Sequence, residues 1–162
     1  SGDHNHLSLA IQKTIQTEFD LPDAMTEHLL SLPEVSELVS KHPKIFSTFV
    51  RAQYNQTQKW LENHNIDHVT IYRGMRMEKN SDFQPGIGRV LDMKLQPISS
   101  FTAVFREASG FADIESETKM PIILSVRVPR NKVFSTCRTG VGCLTEKEVT
   151  ILGGEYKAFV VR

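Results

Sequence analysis

Three short segments of the sequence carry residues whose types and spacing could do chemistry. In the first of them, residues 69–74, Arg73 ends a run of β-branched and aromatic residues, and Gly74 follows it. A guanidinium at the end of a strand can bind a phosphate through two parallel hydrogen bonds, and the glycine relieves steric crowding beside it. Taken alone, the pattern also fits a surface arginine on an edge strand.

The second segment is a run of hydroxyl side chains before a short helix that the sequence predicts over residues 105–112. Ser99, Ser100 and Thr102 form this run, with Phe101 at its centre. A hydroxyl before a helix commonly caps the free N–H groups of the first turn, so an N-cap explains the run as well as a functional serine does.

The third segment contains two glutamates, Glu146 and Glu148, on either side of Lys147 at the start of a predicted strand. The period of a strand places both carboxylates on one face, where they repel each other unless other groups hold them. A solvated strand edge has the same pattern, so the segment by itself does not decide between the two interpretations.

The elements that must position these segments fall into two halves, residues 1–65 and 66–162. Apolar residues at helical spacing predict a helix over 7–19, a short helix after Asp23 and a long helix over 45–63. From His68 the period changes to that of strands. Helices followed by strands indicate an α+β fold with antiparallel pairing. Strands are predicted over 69–72, 90–95 and 122–128, and a C-terminal hairpin over 149–161 with its turn at Gly153-Gly154.

Length and composition indicate one globular domain. The chain has 162 residues, of which 40% are hydrophobic and 23% charged. Lysine and arginine number 19, as do aspartate and glutamate, and a zero net charge argues against a basic nucleic-acid binder. No apolar run approaches the roughly 20 residues of a membrane span. Since the sequence starts at Ser1 without an initiator methionine or a signal region, we expect it to be a piece of a longer protein.

Taken together and in this order, the three segments resemble the ADP-ribosyltransferase family, in its Arg–Ser–Glu class of bacterial toxins and phage proteins. The resemblance covers residues 45–161. Residues 54–61 are similar to the family's helix before the arginine strand, and Phe111-Ala112 are similar to its Phe-Ala after the serine motif. The Gly153-Gly154 pair after the two glutamates also matches.

The resemblance implies an enzyme that cleaves NAD and transfers ADP-ribose to arginine on a protein. It implies N-terminal helices packed on two antiparallel β-sheets that form the NAD cleft, with no metal. Glu148 would be the catalytic glutamate, and Glu146 would orient the acceptor arginine. The residues implied at the NAD site are Arg73, which pairs with the pyrophosphate, Gly74, Ser100, which holds Glu148, Thr102, and Phe111, which stacks near the nicotinamide.

Several alternatives stay open at this point. Water or a nucleic acid could replace the protein acceptor, or the domain could be an inactive binding module of the same fold. Ser99 and Ser100 could form the functional pair in place of Ser100 and Thr102. Whether Cys137 and Cys143 pair is undecided. Residues 7–40 carry no motif and could cover the NAD cleft, bind a partner or complete the core.

The family context also predicts a biological setting. We expect a secreted or injected toxin or effector domain that acts in the cytoplasm of a target cell. Such a domain is often opposed by an inhibitory, immunity-type protein.

Overall fold

Helices occupy the first part of the chain, as its apolar spacing predicts. The computed structural model describes residues 5–23, 27–78, 86–112, 119–140 and 147–162. Asn5 caps the first helix, because its Oδ1 accepts a 2.7 Å hydrogen bond from the backbone N–H of Ser8. Proline stands in the first turn of the third and fourth helices, where its missing N–H costs nothing. The helices are α1 His6–Glu18, α2 Glu27–Leu30, α3 Pro33–Lys41 and α4 Pro43–Asn63.

The described residues that follow form five strands, one further helix and a 3-10 turn over Arg130–Lys132 between the third and fourth strands. The strands form one antiparallel sheet in the order β2-β1-β3-β5-β4, and β2 also pairs with β5, so the sheet closes back on itself. The closure passes through one bridge between β1 and β2, at Tyr72 and Thr102. The elements are β1 His68–Glu78, β2 Val90–Thr102, α5 Phe105–Ala112, β3 Lys119–Pro129, β4 Val133–Ser135 and β5 Glu148–Val160.

The main core lies inside the curled sheet, where alternate strand residues and Leu61 of α4 pack together. A smaller core joins α1 to the sheet, since Ile15 and Val50 pack against Phe134 and Leu152. Another small core holds α1, α2, α3 and the start of α4 together. Burial of these apolar faces fixes α1 against β2 and thereby forms one side of the cleft described below.

The predicted C-terminal hairpin is wrong, because β5 runs without a turn from Glu148 to Val160. The Gly153-Gly154 pair lies instead where β5 passes a bulge in β2 between Leu95 and Ile98. A β-carbon on Gly153 would lie 2.4 Å from the carbonyl oxygen of Gln96, so only glycine allows the two backbones to approach so closely. The local turn signal was therefore overridden by a contact with a distant strand.

The α+β class is confirmed, as are the long helix before the arginine strand and the short helix over 105–112. The predicted 90–95 strand is longer than expected and includes the hydroxyl run up to Thr102. The residues between Asp23 and α2 lie outside the described residues. The strands form a single hydrogen-bonded sheet, and the expectation of two sheets around an NAD cleft stays a prediction. None of the described helices combines the length and apolar character that a membrane span requires.

Candidate active site

An open cleft of about 630 Å³ lies between α1 and the sheet. Arg73 of β1, Ser100 of β2 and Glu148 of β5 all line it, although they are far apart in the sequence. The closure of the sheet explains this meeting, since β2 contacts both β1 and β5 near its carboxyl end. The structure thus brings one residue from each of the three chemistry-bearing segments into the same cleft.

Ser100 and Glu148 are joined by a short hydrogen bond. The Ser100 hydroxyl donates to Glu148 Oε1 at 2.7 Å. In the register of β2 and β5, Ser100 pairs with Thr150 and Thr102 pairs with Glu148, so the two side chains are diagonal neighbours on one face. A hydroxyl that donates to a carboxylate oxygen fixes the orientation of the carboxylate.

The backbone conformation of Lys147 helps to fix the position from which the Glu148 side chain extends. Lys147 has a φ of 52°, in the left-handed region that a lysine seldom adopts. Its carbonyl oxygen accepts a 3.1 Å hydrogen bond from the N–H of Ala103, which follows β2. This bond and the Thr102–Glu148 pairing hold the first residue of β5 in place, so Glu148 starts from a fixed backbone position.

Arg73 supplies positive charge to the cleft. Its guanidinium carbon lies 5.5 Å from the ring centroid of Phe101, within the range of a cation–π contact. Desolvation lowers the pKa of Arg73 from its usual value, but an arginine keeps its charge at any physiological pH. Lys94 of β2 lines the same cleft and adds a second cation. Two cations on the wall of one cleft suit a bound diphosphate.

Phe101 interrupts the hydroxyl run for a structural reason. Alternation along β2 turns its side chain into the main core, where it is 4% exposed, while Ser100 faces outward. Thr102 is also buried, and its hydroxyl accepts a 3.1 Å hydrogen bond from the N–H of Val104 at the start of α5. Thr102 therefore closes a turn just before α5 and does not cap its first-turn N–H groups, while Ser100 is the hydroxyl bound to Glu148.

For the other predicted site residues, the described structure does not test the role that the resemblance implies. Gly74 lies within β1 opposite Ile123 of β3. Phe111 belongs to α5, but its side chain lies outside the described residues, and Glu146 lies outside them altogether. The implied roles of Gly74, Thr102, Phe111 and Glu146 stay predictions. Ser99, from the alternative pairing, is 9% exposed and also lines the cleft.

The sequence left open whether residues 7–40 cover the cleft, and it indicated no particular residue of α1 for that role. The side chains that α1 contributes belong to a region without a motif, and only the packing of α1 on the sheet places them near Glu148. The polar residues Asn5, Ser8 and Gln12 follow a helical spacing. This spacing does not distinguish a binding site from the solvated face of an ordinary amphipathic helix. The α1 residues that line the cleft are Asn5, Leu7, Ser8, Ile11 and Gln12.

A buried polar network anchors the turn that leads toward the two glutamates. Thr57 of α4 is fully buried, and its hydroxyl lies 2.8 Å from the hydroxyl of Thr139. Gln53, one turn earlier on α4, donates a 2.9 Å hydrogen bond to the carbonyl oxygen of Thr139. Cys137 lies in this turn with a free, half-buried thiol, while Cys143 lies outside the described residues. The turn is thereby fixed to the helix immediately before the stretch 141–146.

The arrangement can bind an anion and stabilise a cation within one cleft. Arg73 and Lys94 suit a diphosphate, and the oriented Glu148 carboxylate suits positive charge that develops nearby. Within the described residues, no cluster of three or more histidine, cysteine or acidic side chains could hold a metal ion.

Comparison with known protein families gives a match over most of the chain. The model of the family described as dinitrogenase reductase ADP-ribosyltransferase (DRAT) matches residues 44–160 of this chain. The matched range contains Arg73, Ser100 and Glu148 and begins at α4, so α1, α2 and α3 precede it. No curated protein and no solved structure matches the chain significantly.

Proposed function

We propose that the cleft of this chain, which belongs to the dinitrogenase reductase ADP-ribosyltransferase family, binds NAD. Glu148 then promotes the transfer of ADP-ribose to arginine on a protein. Membership of the family makes the chain an NAD-dependent mono-ADP-ribosyltransferase. The observation that carries the assignment to this cleft is the 2.7 Å hydrogen bond between Ser100 and Glu148 beside Arg73.

The reaction breaks the bond between the anomeric carbon of the ribose and the nicotinamide nitrogen. Nicotinamide leaves with the bonding electron pair, and positive charge develops on the ribose as in glycoside cleavage. The Glu148 carboxylate stabilises that charge and accepts a hydrogen bond from the ribose 2′-hydroxyl. Ser100 limits the rotation of this carboxylate, so little reorganisation is needed when the charge develops.

Arg73 binds the diphosphate of NAD in this proposal, with Lys94 as a second cation. The diphosphate carries two negative charges, and a guanidinium can contact two phosphate oxygens at once. Both side chains line the cleft together with Glu148. Binding the diphosphate at this point holds the ribose close to the carboxylate, which is the positioning that the reaction requires.

The family match favours a protein as acceptor, since the family's name specifies the protein dinitrogenase reductase. Arginine is the side chain that fits the Glu146-x-Glu148 pattern. A guanidinium is protonated and a weak nucleophile, so a second carboxylate, Glu146, orients it and takes up its proton as the nitrogen bonds to the anomeric carbon. The same cleft with water as nucleophile gives NAD hydrolysis. The expected toxin or effector role, its export into a target cell and an inhibitory partner stay predictions.

The test uses radiolabelled NAD with purified dinitrogenase reductase and, in parallel, with whole-cell lysates. We expect label on protein with the wild type, none with Glu148→Gln, and continued nicotinamide release without labelling with Glu146→Gln. Label that nuclease removes would replace the protein acceptor by a nucleic acid. Nicotinamide release by Glu148→Gln at the wild-type rate would contradict the assignment of the cleft.

A further inference from the structure

One wall of the cleft is built by α1, which lies outside the range that the family model matches. The wall runs from the capped start of the helix at Asn5 to Gln12, two turns further on. It faces Arg73, Ser100 and Glu148 across the open space. A ligand bound in this cleft can therefore contact α1 as well as the cations and the carboxylate.

Gln12 is the unusual residue of this wall. Its side chain is 6% exposed, although it carries a polar carboxamide. The amide nitrogen has only a long contact, 3.5 Å, with the hydroxyl of Ser8, and the amide oxygen has no partner among the described residues. Most buried polar side-chain atoms in proteins have a partner, so an amide oxygen without one among the described residues requires an explanation.

The orientation of the amide does not remove this deficit. With nitrogen and oxygen exchanged, Ser8 could donate to the oxygen, but the nitrogen would then lack an acceptor. In either orientation one half of the carboxamide remains to be satisfied. The carboxamide turns about a broad and soft terminal torsion, and Gln12 lines the cleft, so its amide can change orientation when a ligand is bound there.

We propose that α1 is part of the NAD site and that the Gln12 carboxamide accepts a hydrogen bond from an N–H or O–H group of bound NAD. This inference rests on the proposed function, because it takes NAD as the occupant of the cleft. The diphosphate has no proton to donate at neutral pH, and it suits Arg73 and Lys94 instead. The remaining donors of NAD are the amino group of adenine, the ribose hydroxyls and the amide of nicotinamide.

The experiment measures NAD binding by calorimetry together with thermal unfolding for Gln12→Leu. Losing one hydrogen bond predicts a dissociation constant about 3- to 10-fold higher. The midpoint of unfolding should stay unchanged or rise, because leucine replaces a buried carboxamide whose oxygen has no partner among the described residues and whose nitrogen makes only a long contact. A merely structural glutamine gives the opposite result, a lower midpoint with unchanged NAD binding, and that result would overturn the inference.

Gln16→Leu is the matched control. Gln16 lies one turn further along α1, outside the cleft, where its amide nitrogen donates to Glu27 Oε2 at 2.9 Å. We expect this variant to lose stability and to keep the wild-type affinity for NAD. Equal weakening of NAD binding in both variants would assign the effect to α1 packing and would contradict a direct role for Gln12.

Three probes identify the donor. ADP-ribose lacks nicotinamide, and the hypoxanthine analogue of NAD lacks the adenine amino group. If the Gln12→Leu effect disappears with ADP-ribose, the donor is the nicotinamide amide. If it disappears with the hypoxanthine analogue, the donor is the adenine amino group. If it persists with NAD and both of these probes, the donor is a ribose hydroxyl.

The failure of this inference can be told from the failure of the proposed function. A wild-type protein that does not bind NAD would reject the cleft as an NAD site. Weakened binding in Arg73→Ala together with unaltered binding in Gln12→Leu would keep the cleft as the NAD site and reject only the role of Gln12.

Discussion

Ser100 of β2 donates a 2.7 Å hydrogen bond to Glu148 of β5, a residue that lies 48 positions later in the chain. The two residues are diagonal neighbours on one face of β2 and β5, and both line the cleft. The relationship makes Ser100 a positioning residue, whose effect passes through Glu148.

The first prediction concerns Ser100→Ala. Losing a hydrogen bond to a charged group predicts a kcat for nicotinamide release about 10- to 100-fold lower, with a smaller change in KM for NAD. Steady-state kinetics of nicotinamide release measures both quantities. Ser99→Ala is the matched variant, since Ser99 belongs to the alternative serine pairing. A larger loss with Ser99→Ala than with Ser100→Ala would move the positioning role to Ser99.

The second prediction concerns Arg73→Lys, which keeps the charge but loses the planar fork of the guanidinium. A lysine cannot contact two phosphate oxygens in parallel, so we expect KM for NAD to rise about 10-fold while kcat changes little. Arg76→Lys on the same strand provides the control, because Arg76 is not among the described residues that line the cleft. A fall in kcat with unchanged KM in Arg73→Lys would contradict the diphosphate role.

The third prediction concerns the glycine that the sequence assigned to a turn. A β-carbon on Gly153 would lie 2.4 Å from the Gln96 carbonyl oxygen and 3.0 Å from the Pro97 α-carbon. Both of these atoms belong to backbone and cannot move aside cheaply, so Gly153→Ala should lower the free energy of unfolding by about 2 to 4 kcal/mol. Urea denaturation measures the difference. Since Gln96 lines the cleft, NAD binding should weaken as well.

Gly110→Ala serves as the opposite case for Gly153→Ala. Gly110 lies in α5, and apart from its chain neighbours and the helix backbone, no atom of the described residues lies within 4 Å of the place where its β-carbon would stand. Alanine is the better helix former, so the variant should gain roughly 0.5 kcal/mol in stability. Similar destabilisation of both variants would show that the contact with β2 is not the cause of the Gly153 effect.

Several elements could be predicted from the sequence because their signals are local. Helical spacing in 45–63, the strand before Arg73 and the helix over 105–112 depend on neighbouring residues, and the structure has all three elements. The pairing of Ser100 with Glu148 was suggested by the family resemblance, since no local pattern specifies a contact across 48 residues.

The features that the sequence did not predict depend on contacts between distant segments. The Gly153-Gly154 pair has the composition of a turn, and only the bulge of β2 at Gln96 and Pro97 makes it part of a strand. Gln12 looks like an ordinary polar residue of an amphipathic helix until α1 is placed against β2. Contacts between distant segments therefore determine that β5 continues as one strand and that α1 lines the cleft.

The last prediction concerns stability at high pH and Tyr156. Burial raises the pKa of Tyr156 to about 12, and its hydroxyl donates to the carbonyl oxygen of Leu152. In the unfolded chain a tyrosine ionises near pH 10. Between about pH 10 and 12 the folded state therefore keeps a proton that the unfolded state has lost, so stability falls as the pH rises through this window.

The comparison with Tyr156→Phe isolates this contribution from the other groups that titrate at high pH. Part of the Tyr156 side chain contacts water, so solvent screening limits the loss to about 1 kcal/mol at pH 11. Phenylalanine cannot ionise, and the free energy of unfolding of the variant should fall less between pH 9 and pH 11 than that of the wild type. Urea denaturation at the two pH values measures both slopes. Parallel losses in the two proteins would show that Tyr156 does not supply the pH dependence, whatever the variant loses with its hydrogen bond to Leu152.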